Sequence, residues 1–440
     1  MLKRKLLLPL SLFSVLSAVF GAGGSIAYAA ELRTLTLDQA LSIALDKNRD
    51  IAKARQYSNY VQGRYIEERA AALPQVGLNG SVALAQDDSQ RALLALAPRQ
   101  YTRAVDLVFS QPLYTWGKIN AAIRGAEVGL KTADEQLRLY RQAAWREVSG
   151  AFYDVLLAKE LFLAASENQV QKKRLLDEAQ RRYAAGVATD YDVLSAEVAV
   201  ENSHPAVIRS EHAIRTTRER LRFLLAMEDQ EVDVIGTLET ALEPPQPYEQ
   251  ALVIARQRRP ELNDLRYRVG IYQELVTIAA AENKPRLDLK GGLGWHWLEV
   301  KDGSTQSADG LAWNVGLLLS FPFFDGLKTT GKVIQAKSDL ATKQIEEAKL
   351  LDSIALDVRD AGNAVKEAVE IVQALAGTVR QAARLAQMAE KGFELGVKIR
   401  LEVDDAQLNL LQAKSNLARG QRDYRVARVN YQWAMGIAGE

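Results

Sequence analysis

The 440-residue chain contains no cysteine. That excludes disulfides, a thiol nucleophile, a thiolate metal site and a lipid anchor on a cysteine at a leader cleavage site. Histidine is scarce as well: His204, His212 and His296 are the three in the chain. His204 and His212 share a rough helix face but lack the carboxylate–histidine pattern of a metal site, so the three read as solvated surface. No P-loop, dinucleotide fingerprint or nucleophile elbow is present. No enzyme chemistry, metal or cofactor is therefore expected. An excess of one charge sign is also missing, with 56 Lys and Arg against 55 Asp and Glu, so no nucleic-acid partner is expected. Beyond the leader no apolar run reaches the ~18 residues of a candidate transmembrane helix. Any contact with a membrane is left to strands or to a surface.

What is present begins with a leader. Lys3, Arg4 and Lys5 are followed by an apolar run to about Phe20 and by Ala27, Tyr28 and Ala29, a small-x-small cleavage site. The pattern predicts a signal peptide over residues 1–29.

The rest is one unit written twice. Gln39, Ala40 and Leu41 recur as Gln250, Ala251 and Leu252. Asn48 to Ile51 recur as Arg259 to Leu262, and Leu73, Pro74 as Lys284, Pro285, at an offset of about 211 residues. Gln111 to Gly117 recur, one residue shorter, as Phe321 to Gly326, and Tyr183 to Val187 recur as Phe393 to Val397. Pro244, Pro245 and Pro247 mark the seam, which divides the chain into repeats 30–243 and 244–440. Each repeat reads helix, strand, strand, long helix, turn, long helix.

Four segments alternate apolar and polar residues, the period of a half-buried strand. They cover about 76–85, 103–111, 287–297 and 311–321. Each is of the ~9–11 residues that a tilted strand needs to cross a bilayer. The stretches from Gln86 to Thr102 and from Glu299 to Gly310 are expected as polar hairpin loops. Trp295, Trp297 and Trp313 are expected in an interfacial aromatic belt. A sheet on a soluble core alternates in the same way, so the strands alone leave the membrane question open. Four strands cannot close a barrel, and hydrocarbon tolerates no open edge. Three copies would supply about twelve strands, whereas two would give a barrel filled by its own side chains.

Long helices make up the remainder. Ile119, Ile123, Ala126, Leu130, Ala133, Leu137, Tyr140 and Ala144 step by four and three, a heptad seam. The same seam runs from Ala406 to Tyr431 and from Ala196 to Leu221. No proline falls between Gly117 and Tyr183, which predicts a helix roughly 100 Å long. Side-by-side hairpins of that length make a tube, turning near Gly186, Val187 and Gly396, Val397. Pro205 falls inside the returning helix of the first repeat and predicts a kink or break there.

These features together resemble the TolC family of outer-membrane efflux proteins. The resemblance covers about Leu35 to Ala438. It rests on the duplication, the proline before each strand pair, the proline–aromatic–glycine entry to each long helix, and the turns Gly186 to Leu194 and Gly396 to Ala406. It implies a homotrimer in the Gram-negative outer membrane, with a shared twelve-stranded barrel and a helical tube in the periplasm. It implies a passive exit duct of tripartite efflux or type I secretion. A periplasmic adaptor, and through it an inner-membrane transporter, would meet the helix tips at Gly186, Val187, Gly396 and Val397. By the same resemblance Glu402 and Asp405, with Asp404 beside them and Asp192 in the first repeat, match acids that ring the periplasmic entrance, and Lys398 and Arg400 are candidate partners. Threefold symmetry would make each acid a ring that favours cations. Asp192 has a second reading, favoured here, as the acidic N3 residue of a cap begun by Thr189. For Glu402 and Asp405 the gate is favoured, because Ile399 cannot cap. Two other classes fit parts of the pattern. A periplasmic adaptor would show one hairpin rather than two matched copies, and a structural coiled coil would leave the strands and tryptophans unexplained.

Overall fold

The structure, a computed structural model, describes residues 33–86, 99–302 and 304–439. The leader lies outside the described residues. The two repeats are visible as matched helices of nearly equal length. In the first, α1 (Leu37–Lys47), α2 (Arg49–Ala70), α3 (Lys118–Ala184) and α4 (Asp190–Leu224) have 11, 22, 67 and 35 residues. In the second, α5 (Tyr248–Arg258), α6 (Pro260–Ala280), α7 (Lys328–Glu394) and α8 (Arg400–Ala434) have 11, 21, 67 and 35.

Each repeat therefore opens with two helices where the sequence reading has one. The break has a local cause in each. The Asn48 side chain accepts from the amides of Asp50 and Ile51 and so caps α2. Pro260 stands at the first position of α6, where its missing N–H costs nothing. A second expectation is also corrected: α4 runs unbroken from Asp190 to Leu224 through Pro205. Pro205 is exposed, so the carbonyl that loses its partner can turn to water.

The short and long helices fit by length. α4 covers only part of α3, and α2 continues its line, joined where Asn48 Nδ2 donates to the carbonyl of Leu224 at 3.3 Å. In the second repeat α6 continues α8, and Gln142 Nε2 on α3 donates to the Gly436 carbonyl at the joint, 2.8 Å away. Heptad positions fill the contacts: Ala196, Ser203 and Leu221, and Ala406, Ala413, Gly420, Tyr424, Ala427 and Tyr431, are buried. Tyr140, placed on the first seam by its spacing, is exposed instead. Each joint carries a core. One gathers Leu35, Val148, Phe152, Leu221, Leu225 and Val234, the other Leu262, Ile354, Val358, Val365 and Tyr424. Full burial of such side chains is worth about 1.5–3 kcal/mol each.

A two-stranded parallel sheet lies beside the first core. It pairs β1 (Arg33–Leu35) with β4 (Val232–Val234), strands too short to read from periodicity. Lys159 Nζ and Arg218 Nη2 hold Asp233 at 2.7 and 2.8 Å. Burial alone would raise the Asp233 carboxyl, but the Lys159 hydrogen bond, the Val234 amide and the charges of Lys159 and Arg218 hold it below its ordinary value.

The large sheet has four antiparallel strands in the order β2–β3–β5–β6. These are β2 (Gln75–Gln86), β3 (Arg99–Tyr114), β5 (Arg286–Asp302) and β6 (Ser304–Ser320). The strands outrun their expected ends. The stretch from Glu299 to Gly310 is paired strand rather than loop, with Glu299 opposite Ser307 and Lys301 opposite Thr305. Residues 99–102 are also strand, and residues 87–98 of the expected first loop lie outside the described residues. The hydrogen-bond ladder continues after apolar alternation ends, so hydropathy marks the membrane band and not the strand.

Candidate functional site

Two regions concentrate chemistry: the helix tips far from the sheet, and the sheet itself. At each tip the long helix closes in the same motif. Gly186 (φ 75°) donates to Tyr183 O and Val187 to Arg182 O; Gly396 (φ 75°) donates to Phe393 O and Val397 to Gly392 O. The left-handed glycine satisfies the last carbonyls of the helix, and a side chain there would be strained. The turns leave Val187, Tyr191, Leu395, Val397, Ile399 and Leu401 exposed by between 63 and 80%.

The returning helices begin just past these turns, and the expected site residues fall here. Asp192 accepts from the Thr189 amide at 2.8 Å, and the Thr189 hydroxyl accepts in turn from the Asp192 amide at 3.3 Å. The Thr189 amide first, and second the Thr189 hydroxyl, which donates to Asp192 Oδ2 at 2.7 Å, hold the Asp192 carboxyl below its ordinary value. Glu402 plays half of that part in the second repeat. Ile399 has no side-chain acceptor, but Glu402 Oε2 accepts from the Ile399 amide at 3.0 Å while Oε1 takes Lys398 Nζ. The Lys398 bond first, and the Ile399 amide second, lower its pKa.

Asp404 is the better-connected acid. It receives Lys172 Nζ of α3 at 2.6 Å and lies 3.5 Å from Arg400 Nε. Arg400 also reaches across to the first repeat, where Nη1 donates to the Asp192 carbonyl at 3.0 Å. Its Nε and Nη2 are buried without a hydrogen bond. Asp405 stands apart and, among the described residues, accepts a single long bond, from Asn409 Nδ2 at 3.4 Å. Thus Lys172, which the sequence reading missed, joins Arg400, Asp404 and Asp192 into one link between the hairpins, while Glu402 and Lys398 form a pair of their own. Nothing in the local sequence marks Lys172, because it lies 232 residues from its partner.

In the sheet, register makes one face apolar across all four strands. Leu78, Leu107, Leu293 and Trp313 stand side by side, as do Gly80, Val105, Trp295 and Leu311. These large side chains are exposed, Trp313 by 74% and Val315 and Leu317 by 65% each. The other face carries Asn79, Asp106, Lys290, His296 and Asn314, and there Asp106 Oδ1 meets His296 Nε2 at 2.8 Å. Trp295 Nε1 donates to Asp309 Oδ2 at 3.1 Å, and Trp297 pairs across from Asp309. Trp313 sits lower, opposite Leu293. At the opposite end of the apolar face a second aromatic group appears. Tyr114 packs on Trp116 with centroids 5.3 Å apart, and Phe321 on Phe323 at 6.2 Å. All four are exposed. An exposed apolar band between two aromatic rows is the arrangement of a transmembrane β-barrel wall.

The sequence profile of the family described as Outer membrane efflux protein matches residues 40–227 and 251–436. The chain belongs to the outer membrane efflux protein family. The match in two halves is the duplication. The family is one of channels rather than enzymes, and the chain is an outer-membrane efflux channel whose helices stand in the periplasm. Among curated relatives, the outer membrane protein TolC of Vibrio cholerae is 24% identical over 380 residues, covering 84% of each chain. The cobalt-zinc-cadmium resistance protein CzcC of Cupriavidus metallidurans is 25% identical over 382 residues, with 86% of this chain and 85% of that protein covered. Among solved structures, the outer-membrane channel OprN has a TM-score of 0.79 at 20% identity, covering 92% of this chain and 90% of its own. The Vibrio cholerae outer membrane protein VceC has a TM-score of 0.78 at 18% identity, covering 92% and 97%. Channels of this family are trimeric and act with inner-membrane pumps.

Proposed function

We propose that three copies of this chain close one duct, and that the link between the helix tips holds its periplasmic entrance shut. One observation carries the closure: the order of elements is the same at three levels. Strands run β2–β3–β5–β6. The helices next to them run α2–α3–α6–α7, and those toward the tips run α4–α3–α8–α7. First-repeat elements (β2, α2, α4) form one open flank and second-repeat elements (β6, α7) the other. On α7 the exposed side chains Ile334, Ile345 and Leu356 recur at an eleven-residue step along one stripe. A neighbouring copy that offers its first flank to this second flank pairs the strand edges and covers the stripe in one movement. Four strands from each of three copies give about twelve, within the range of membrane barrels.

At the entrance, Arg400 and Lys172 tie Asp404 and the Asp192 carbonyl together, and Glu402 and Asp405 add carboxylates around the opening. Two unbonded nitrogens on Arg400 leave the link short of its hydrogen-bonding capacity, which suits a contact that has to break. The exposed apolar turns around Val187 and Val397 are the surface we assign to a periplasmic adaptor, which couples the duct to an inner-membrane transporter. The cargo is set by those partners.

The test is the mature chain purified from outer membranes in detergent. Light scattering is expected to give the protein mass of three chains, and planar bilayers a small resting conductance. Arg400→Ser together with Lys172→Gln should raise that conductance at least about twofold, and Glu402→Ala with Asp405→Ala should weaken cation preference. A monomer stable without detergent defeats the duct. Conductance and selectivity unchanged in both double variants remove these residues from the gate.

A further inference from the structure

Where the sheet meets the helices, its polar face opens on a cavity of about 470 Å3. Gln75, Ser110, Pro112 and Arg286 reach it from the strands, and Lys118, Glu282 and Lys284 from the ends of the helices. Lys290 projects from the same polar face directly opposite Ser110, and Lys328 and Lys332 open α7 nearby. Six cations thus surround four acids of this neck, Glu282, Asp288, Glu68 and Asp325, the last accepting from the Thr329 amide at the start of α7. Two of the cations are committed: Arg286 Nε lies 2.9 Å from Asp288, and Lys332 Nζ lies 2.5 Å from Glu282. Among the described residues, Lys118, Lys284, Lys290 and Lys328 make no side-chain ion pair. The imbalance reaches the acid at its centre, since the Lys332 hydrogen bond and then the charges of Lys332, Lys118 and Lys328 hold Glu282 below its ordinary value.

We propose that this neck is an anion site inside the duct, built by Lys118, Lys284 and Lys328 to take small multivalent oxyanions of the phosphate type. It rests on the closure argued above, which places the polar face of the sheet on the lumen and repeats the cluster three times around it. A ring of ammonium groups in a channel concentrates anions and repels cations. Its sign is opposite to that of the acids at the tips, which stand roughly 100 Å away along α3, far beyond a Debye length of about 10 Å. The two rings therefore act independently. An anion entering from the barrel end meets the neck first.

Inorganic pyrophosphate is the probe. Added on the barrel side of wild-type trimers in planar bilayers, it should block current. The triple variant Lys118→Gln, Lys284→Gln, Lys328→Gln should raise the half-blocking concentration at least about tenfold and move the reversal potential in a KCl gradient toward cation preference. These side chains are exposed and without ion pairs, and trimer mass checks that the variant assembles. Calorimetric titration of pyrophosphate into detergent-solubilised trimers supplies the same comparison without a current. Binding that is absent in the parent, or equal in parent and variant, overturns the neck site. Trimers that bind pyrophosphate but never conduct overturn the duct and leave the site standing.

Discussion

Ala226 and Gly436 occupy the same place in the two repeats, two residues past the ends of α4 and α8, and both adopt the left-handed conformation, φ 51° and 74°. For an L side chain that conformation costs ~1 kcal/mol or more, so Ala226 carries a strain that Gly436 avoids. Replacing Ala226 with Gly should stabilise the folded chain by up to about 1 kcal/mol, the φ relief less the added freedom of the unfolded state. The reverse change is worse than a sign flip. A Cβ on Gly436 would lie 2.7 Å from the backbone of Arg258 and Arg259, at the joint between α8 and α6. Gly436→Ala should therefore cost more than the ~1 kcal/mol of backbone strain alone. Chemical denaturation of both variants beside the parent reads the two effects, and a stabilised Gly436→Ala would refute the account. Single residues were legible in the sequence where the code is local. Thr189 and Asp192 announce a cap within four positions, and Gly186 and Gly396 announce their turns. Lys172 and the Phe321, Phe323 end of the aromatic band were not legible, because their roles depend on what the fold brings beside them.

At the scale of elements, the contact between α3 and α6 carries a built-in pH dependence of its own. Asp264 on α6 accepts from Arg268 Nε at 2.8 Å, but its Oδ1 is buried without a partner. Burial raises its pKa, outweighing the opposing pull of Arg268 and of Gln136 on α3. Glu135, one residue along α3, is raised by burial in the same way, against Arg138 and Asn263. A carboxyl raised on folding binds its proton more tightly in the folded chain, so its contribution is present below the ordinary carboxylate pKa and is lost as pH rises through the raised value. Asp264→Asn removes that loss. The melting temperature of Asp264→Asn minus that of the parent should grow between about pH 4 and 7; a difference that shrinks or stays flat over that range would show that Asp264 is well accommodated when charged. Elements were legible in proportion to how strongly one face is buried or meets lipid. The heptad seam of α8 appears in the structure nearly residue for residue. The strands were found but their ends were not, since beyond the apolar band only backbone pairing continues them. Pro205 misled because a missing hydrogen bond on an exposed face does not stop a helix with α3 along its other side.

The whole molecule was legible through its duplication, because two matched repeats with open flanks cannot be a finished object. The single chain leaves the outer edges of β2 and β6 unpaired, and an edge of free N–H and C=O groups in hydrocarbon costs several kcal/mol for each unsatisfied group. Closure must join β6 of one copy to β2 of the next, head to tail, and a rotation that repeats this contact gives a ring. The absence of cysteine turns that geometry into a clean experiment. A walk that places one cysteine at Gly77, Asn79 or Ser81 on β2 and one at Ala312, Asn314 or Gly316 on β6 uses only positions of the polar face. Cα atoms of facing residues on paired strands lie about 4.5–5.5 Å apart, within the range a disulfide spans. At the correct register, oxidation in outer membranes should link chains into dimers and trimers on a denaturing gel, with no rung beyond three. Helix positions offer the companion test, since the flank of α7 at Ile345 should crosslink to the first-repeat flank of another copy in those same trimers. A ladder extending past three would mean that the flanks join into an open chain. No ladder at any register would mean that β2 and β6 do not meet, and that something other than a second copy of this chain covers them.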